Sequence, residues 1–227
     1  RSLLDQGLLP TGNTAITFTD QDVDIYRAFN LLDDAVDAQD GGVAASDASH
    51  LNTTDLAMQN YQLNIACYAD GADTAPVRVY NWTTGRNNLI KIYTPVDQSE
   101  VGVSQRHQGA LDASQGYTLD MNTGTNGWGI EPINTNHLWL DGLQFDMRDN
   151  AFAAIEICEG CTAPGGLQAG DAVIKISNNV IAGNTGSWAS GILIEVPNNG
   201  AYYVWNNIVY NFTGSGNGNG IFVYNGS

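Results

Sequence analysis

Arg106 and His107 stand side by side in SQRHQGA (104–110), a permanent cation beside a base that titrates near neutrality. Such a pair could abstract or relay a proton if the fold brought both groups to one point, and loops often carry residues of this kind. Adjacent loop residues need not converge, so a solvated loop is the plainer account. Glu156 in AIEIC and Glu195 in LIEV form a second pair of chemical interest. Stacked one strand spacing apart, two outward acids would raise one pKa or hold a cation between them. Solvated acids on an acidic protein are the simpler alternative. Cys158 and Cys161 make a lone CxxC, with Cys67 left over and His50, His107 and His137 elsewhere. A structural zinc site needs four ligands, so no metal centre is expected, and Cys158 and Cys161 read as a local disulfide or as two thiols. Asp20-x-Asp22-x-Asp24 imitates the opening of a calcium loop but lacks Gly at its sixth position and Glu at its twelfth, so helix capping explains it better. No Ser-His-Asp order or glycine-rich phosphate loop is present.

Which side chains can act together depends on the elements that carry them. Residues 1–19 read as an N-terminal extension and 20–60 as a helix with its connection. The helix is expected over 20–38, where Ile25, Phe29, Leu32 and Val36 recur at helical spacing. Thr19 or Asp20 would cap its start. Residues 39–60 read as irregular. From residue 61 short β runs follow one another, among them NLIKIYT, HLWLDGLQF, AAIEIC, VIKISNNVIAG, GILIEV, YYVWNNIVYNF and GIFVYNG, separated by Gly, Asn, Asp and Ser turns. No helical period separates them, which excludes a βαβ sheet.

Alternation along these strands sorts inward from outward positions. With Ile90/Ile92, Leu138/Leu140, Ile174/Ile176 and Tyr202/Val204 inward, Lys91, Trp139, Lys175 and Tyr203 form one outward column. Tyr93, Asp141, Ser177 and Trp205 form the next. Aromatic faces with two ammonium groups among them suit sugar rings and acidic groups, which makes Lys91, Trp139, Lys175, Tyr203 and Trp205 the candidate glycan contacts. The competing account packs these aromatics under loops or a neighbouring chain.

The pattern apolar-x-Asn-Asn-apolar-apolar occurs in KISNNVIAG and again in VWNNIVYN. Aligning Ile176 with Val204 places Asn179 on Asn207 and Ile181 on Val209; one step earlier, Leu140 falls on Ile176 and Leu143 on Asn179. A recurring unit of this kind marks stacked coils, with Asn179 and Asn207 as rungs of an asparagine ladder at a corner. These strings resemble the right-handed parallel β-helix, pectate-lyase-like superfamily over residues 61–227. The resemblance implies an all-β solenoid with an N-terminal capping α-helix. That superfamily holds polysaccharide lyases and hydrolases, phage tailspikes and surface adhesins, so fold alone does not choose among them. Its lyases generally use an Arg or Lys base and, in many cases, calcium held by carboxylates. Arg78, Arg86, Lys91, Arg106, His107, Arg148 and Lys175 are the candidates for such a base, with Arg106, His107 and Lys175 foremost, yet none stands in a matching family motif. No cofactor is expected beyond that admissible calcium.

The charge balance, 24 acidic residues against 8 basic ones and −16 net, argues against a nucleic-acid surface. No stretch approaches the roughly 18 apolar residues of a membrane span, and the first 20 residues lack a basic segment followed by an apolar run. Asn52, Asn81, Asn211 and Asn225 begin glycosylation sequons, usable if the source glycosylates exported proteins. The strand at 221–224 leaves no room for a terminal cap before Ser227, so either the polypeptide continues or another subunit is expected to cover that face. The sequence reading is therefore an extracellular, cell-surface or virion-surface structural or adhesive module with glycan contacts. Its alternative is a polysaccharide lyase or glycoside hydrolase working in a groove.

Overall fold

The computed structural model describes residues 29–37, 53–97, 103–121, 127–147, 152–158, 171–183, 189–195, 200–214 and 218–224. Within them the chain forms three parallel sheets of five strands each. The first sheet runs β1 (Leu63–Ala66), β4 (Ile90–Tyr93), β7 (His137–Asp141), β10 (Val173–Ser177) and β13 (Ala201–Trp205). The second contains β2 (Ala72–Asp73), β5 (Thr118–Asp120), β8 (Gln144–Asp146), β11 (Val180–Ala182) and β14 (Ile208–Tyr210). The third contains β3 (Val77–Tyr80), β6 (Ile130–Ile133), β9 (Ala153–Cys158), β12 (Ser190–Glu195) and β15 (Asn219–Tyr224). Every strand pairs with the strand three places along the chain, so three consecutive strands make one layer and each layer stacks on the last.

The register is the one the repeated strings imply: Ile176 pairs with Val204 and with Leu140, and Ile181 with Val209. Gly142, Asn178 and Asn206 follow the paired residues Asp141, Ser177 and Trp205, and all three have positive φ, +82°, +56° and +56°. The two asparagines of each Asn-Asn pair thus divide the work. The first takes the left-handed backbone of the corner, which Asn tolerates better than most residues. The second turns inward. Gly142 is held to glycine for another reason as well, since a Cβ there would collide with Arg106 and Thr94.

Inward columns fill the core: Ile92, Leu140 and Ile176 from the first sheet, Leu119, Phe145 and Ile181 from the second, Ile155, Ile157, Ile192 and Ile194 from the third. Like residues above like give the stack its dry interior.

At the first layer a five-residue helix, α1 (Leu32–Val36), packs on β3 with Leu32, Ala35 and Val36 buried, and Phe29 rests against the same core. The described part of the expected 20–38 helix is shorter than its spacing suggests. Leu31 is extended (φ −119°, ψ 145°), and Asp37 leaves the helix to bridge Tyr80 on β3. Side chains set these limits: Asp73 Oδ2 accepts the Leu32 N–H at 2.8 Å, and Asp33 Oδ1 accepts the Arg78 N–H at 2.7 Å. Residues 20–28, with Ile25, lie outside the described residues. The connection expected to be irregular holds one more turn, α2 (Leu56–Gln59), whose Asp55 cap accepts the Met58 N–H. Among the described residues no helix is long and apolar enough to cross a membrane.

Candidate binding face on the first sheet

Paired registers put Lys91, Trp139, Lys175 and Tyr203 in one column and Tyr93, Asp141, Ser177 and Trp205 in the next. Neighbouring strands in a sheet are about 4.8 Å apart, so ring and ammonium meet directly. Lys91 Nζ lies 4.4 Å from the ring centres of both Tyr93 and Trp139, and Lys175 Nζ lies 5.3 Å from that of Trp139. Trp139 and Trp205 have ring centres 6.3 Å apart at 40°. A hydrogen bond from Trp139 Nε1 to Ser177 Oγ, 2.8 Å, fixes the indole in its plane. Tyr203 and Trp205 are exposed.

The centre of this face is Asp141. Its Oδ2 accepts from Arg106 Nη2 at 2.7 Å and lies 3.9 Å from Lys91 Nζ; its Oδ1 accepts from Ser177 Oγ at 2.9 Å and Asn178 Nδ2 at 2.6 Å. Burial alone would raise the Asp141 pKa. The hydrogen bonds from Asn178, Arg106 and Ser177 and the Arg106 charge prevail and hold it below the ordinary carboxylate value.

Arg106 and His107 do converge on the first sheet, but each is engaged by the protein itself. Arg106 also donates to Thr94 Oγ1 and to the Thr94 carbonyl, both at 3.3 Å. His107 Nδ1 accepts the Gly109 N–H, which leaves the Nε2 proton to donate to the Asn178 carbonyl at 2.6 Å. Burial, the dominant influence, keeps this imidazole pKa below its usual value, assisted by the Arg106 charge. Together these bonds pin the loop after β4 onto the corner at Gly142 and Asn178. Among the described residues Lys175 makes no ion pair, whereas Lys91 shares Asp141. Arg86 pairs with Asp171 at the near end of the same sheet. Four of the eight Lys and Arg residues therefore gather on or against one face of a chain with net charge −16.

The asparagine rungs are geometric neighbours. Asn179 Nδ2 donates to Asn207 Oδ1 at 2.9 Å, and Asn179 Oδ1 accepts the Leu143 N–H at 2.9 Å.

On the third sheet Glu156 pairs with Leu193, and Glu195 pairs with Cys158, one alternation further on. Glu156 and Glu195 are therefore not stacked in register, the condition on which a pairing between them depended, and Glu156 is buried rather than solvated. The acid beside Glu156 is Glu131, one residue beyond the Ile130–Ile155 pair, and Arg78 flanks Glu131 on β3. Both acids are buried, and neither Oε2 has a hydrogen-bond partner. Burial first, then the charges of Glu131 and Glu195, push the Glu156 pKa up to about 8. The strand carrying Glu131 was not among the β runs read from the sequence; it contains Pro132, a residue without an N–H to donate, and pairs with β9 only at Ile130–Ile155.

Cys158 is disulfide-bonded and Cys67 is a buried free thiol; Cys161 lies outside the described residues. Asn81 and Asn211 are exposed, with Asn81 Oδ1 accepting from Asn134 Nδ2 at 2.9 Å. Asn52, Asn225 and Arg148 lie outside the described residues. No group of three or more metal-ligating side chains occurs among the described residues. A hollow of about 380 Å³ over the second sheet, lined by Leu111, Ala113, Asp120 and Asp146 among others, includes none of the candidate glycan contacts.

Asp141 was visible in the sequence as an outward acid in the column next to the one that carries Lys91 and Lys175. Its principal partner, Arg106, arrives from a loop, and no spacing rule announces that. Comparison of the chain with models of protein families, with curated proteins and with solved structures returned no match.

Proposed function

We propose that the chain is an all-β solenoid, a right-handed parallel β-helix with its N-terminal helical segment as cap, serving as an extracellular structural or adhesive module that binds glycans on its first sheet. The sheet order, each strand pairing with the third one along, supports the solenoid reading. One observation carries the binding reading: Trp139 on β7 and Tyr203 and Trp205 on β13 flank β10 on one face, and β10 carries Lys175, whose ammonium no acid of the described protein engages. Rings held in this way offer flat apolar area for sugar C–H faces, and the ammonium offers donors for hydroxyl or acidic groups.

The alternative, a polysaccharide lyase or glycoside hydrolase, draws less support. Arg106 is bound to Asp141 and His107 donates to a backbone carbonyl, so neither is poised to take a proton from a sugar. The Glu131–Glu156 pair has the raised pKa of an acid catalyst, but its unpartnered oxygens are buried.

A glycan array followed by titration calorimetry tests the reading, with Trp139→Ala and Lys175→Ala as variants and circular dichroism to verify folding. Each variant should weaken binding about tenfold or more, equivalent to about 1.4 kcal/mol per tenfold. Silence across the array, or binding indifferent to both changes, overturns it. Release of unsaturated or reducing sugar would favour the enzyme.

A further inference from the structure

Trp139 is held at its edge and at its face, and both supports lead to one carboxylate. Its indole N–H donates to Ser177 Oγ at 2.8 Å, and the Ser177 hydroxyl donates in turn to Asp141 Oδ1 at 2.9 Å. Its ring centre lies 4.4 Å from Lys91 Nζ, and that ammonium lies 3.9 Å from Asp141 Oδ2. One oxygen of Asp141 therefore orients the indole edge, while the other places a cation against the ring.

The donor directions along this path are fixed. An indole nitrogen only donates and an ionised carboxylate only accepts, so the Ser177 hydroxyl, accepting from Trp139, has its own proton for Asp141. The acid is anchored from its other sides by Asn178 Nδ2 at 2.6 Å and Arg106 Nη2 at 2.7 Å. Ser177 is 0% and Asp141 6% exposed, so neither meets a ligand lying on the sheet. Lys91 is engaged as well, because its Nζ is also 4.4 Å from the Tyr93 ring centre. Lys175 differs: it lies 5.3 Å from the Trp139 ring centre, and among the described residues no acid anchors it.

We infer that Asp141 is the positioning residue of Trp139, acting through Ser177 on the indole N–H and through Lys91 on the ring, with Arg106 and Asn178 fixing the acid itself. Lys91, expected from the sequence as a glycan contact, is a support of the ring instead. A ring held at edge and face has little freedom left to lose when a ligand arrives, which favours binding by preorganisation. Because Ser177 engages the only polar atom of the indole, Trp139 offers a ligand apolar surface, and Lys175 is the lysine left to meet its polar groups. The inference rests on the glycan-binding reading for what the ring is positioned to do, but the positioning is measurable without a glycan.

Hydrogen exchange of the tryptophan indole N–H groups in isotope-labelled protein tests it, with resonances assigned through Trp139→Phe and Trp82→Phe. Ser177→Ala and Asp141→Asn should each speed exchange at Trp139 about tenfold, the effect of losing about one hydrogen bond. Lys91→Met should speed it about threefold, as loss of a cation–π contact does, and Lys91→Arg, which keeps a cation there, should restore the rate. Lys175→Ala should leave it unchanged. The Trp82 indole, bonded to the Val36 carbonyl, is the internal control and should not respond to any of these changes. Acceleration at Trp82 equal to that at Trp139 would reduce Asp141 to a general structural role and overturn the inference. So would a Trp139 rate indifferent to Asp141→Asn and Lys91→Met. On a printed glycan array Ser177→Ala, Asp141→Asn and Lys91→Met should lose signal with the ring loosened, and Lys175→Ala with the ring still held. Lost signal in Lys91→Met at an unchanged Trp139 rate would make Lys91 a direct contact, again overturning the inference. Silence of the wild-type protein on the array, with the exchange pattern as expected, would overturn the binding reading while supporting the placement of Trp139 by Asp141.

Discussion

Asn207 Oδ1 receives two hydrogen bonds from Asn179, one from its backbone N–H at 3.0 Å and one from its side-chain amide at 2.9 Å. Asn179 is fully buried and repeats the arrangement one layer down, where its own Oδ1 accepts the Leu143 N–H. Removing it strands the Leu143 donor and leaves Asn207 Oδ1 without a side-chain partner. Each buried unmet group costs about 1–3 kcal/mol, so Asn179→Ala should destabilise the fold by about 3 kcal/mol in denaturant unfolding. Asn179→Asp should be worse at neutral pH, where an acceptor-only carboxylate faces Asn207 Oδ1, and should recover in acid. Equal losses at both pH values would show that the rung acts by packing alone.

The Glu131–Glu156 pair predicts the alkaline limb of stability. Glu156 holds its proton up to about pH 8 in the folded protein, against 4.5 ordinarily, because burial and then the charges of Glu131 and Glu195 oppose ionisation. The folded state thus binds this proton more tightly than the unfolded chain does. Stability from it is complete below about pH 4.5 and drains away as pH rises to about 8. After discounting for solvent screening, the loss should be roughly 2 kcal/mol. Glu156→Gln keeps the shape without the charge, so it should flatten this limb and be the more stable protein at pH 9. A wild-type profile that does not fall between pH 5 and 9 would contradict the pairing.

The strand columns were legible from sequence because alternation and the doubled asparagine are local signals with a strict period. Ile176 over Val204, and Lys175 beside Tyr203, follow from them directly. The length of the first helix was not legible. Helical spacing at Ile25, Phe29, Leu32 and Val36 says nothing of Asp73 reaching Leu32 or of Asp37 pairing with Tyr80, contacts between residues far apart in the chain. The acid pair was half seen. Glu156 was noted with Glu195 as a conditional partner, and the strand bearing Glu131 was not among the β runs read from the sequence. The sequence displayed Arg106 and Lys91 as free cations, and only the folded loop brings Arg106 onto Asp141.

Trp82 offers a check on how firmly α1 is held. Its ring is buried and Nε1 donates to the Val36 carbonyl at 2.8 Å. Trp82→Phe keeps much of the ring but strands that carbonyl, which should cost about 1–2 kcal/mol. Backbone amides of 32–37 should then exchange faster while those of β7 and β10 do not. Uniform acceleration across the sheets would mean that α1 and the strands unfold as one unit.

Arg106 and Asp141 together predict the acid limb. In the folded protein the Asp141 carboxylate is favoured over its acid by Asn178, Arg106 and Ser177, against the opposing effect of burial. A depressed folded pKa contributes stability that is present above the ordinary value of 3.8 and is lost as pH falls through the lower, folded value. Arg106→Ala removes one of those supports and releases the loop at 103–116 from Thr94 and Asp141. Lys91, Ser177 and Asn178 remain to neutralise and solvate the carboxylate, so the cost should be about 1–3 kcal/mol rather than the larger penalty of an isolated buried charge. The decisive comparison is the double variant Arg106→Ala with Asp141→Asn. If the ion pair is the link, the double variant should be less destabilised than the sum of the singles by about 1 kcal/mol or more. It should also have lost much of the decline that the wild type shows as pH falls below 3.8. Strict additivity with the acid limb intact would assign the loop's anchorage to His107 and its bond to Asn178, and would remove Asp141 from the centre of the binding face.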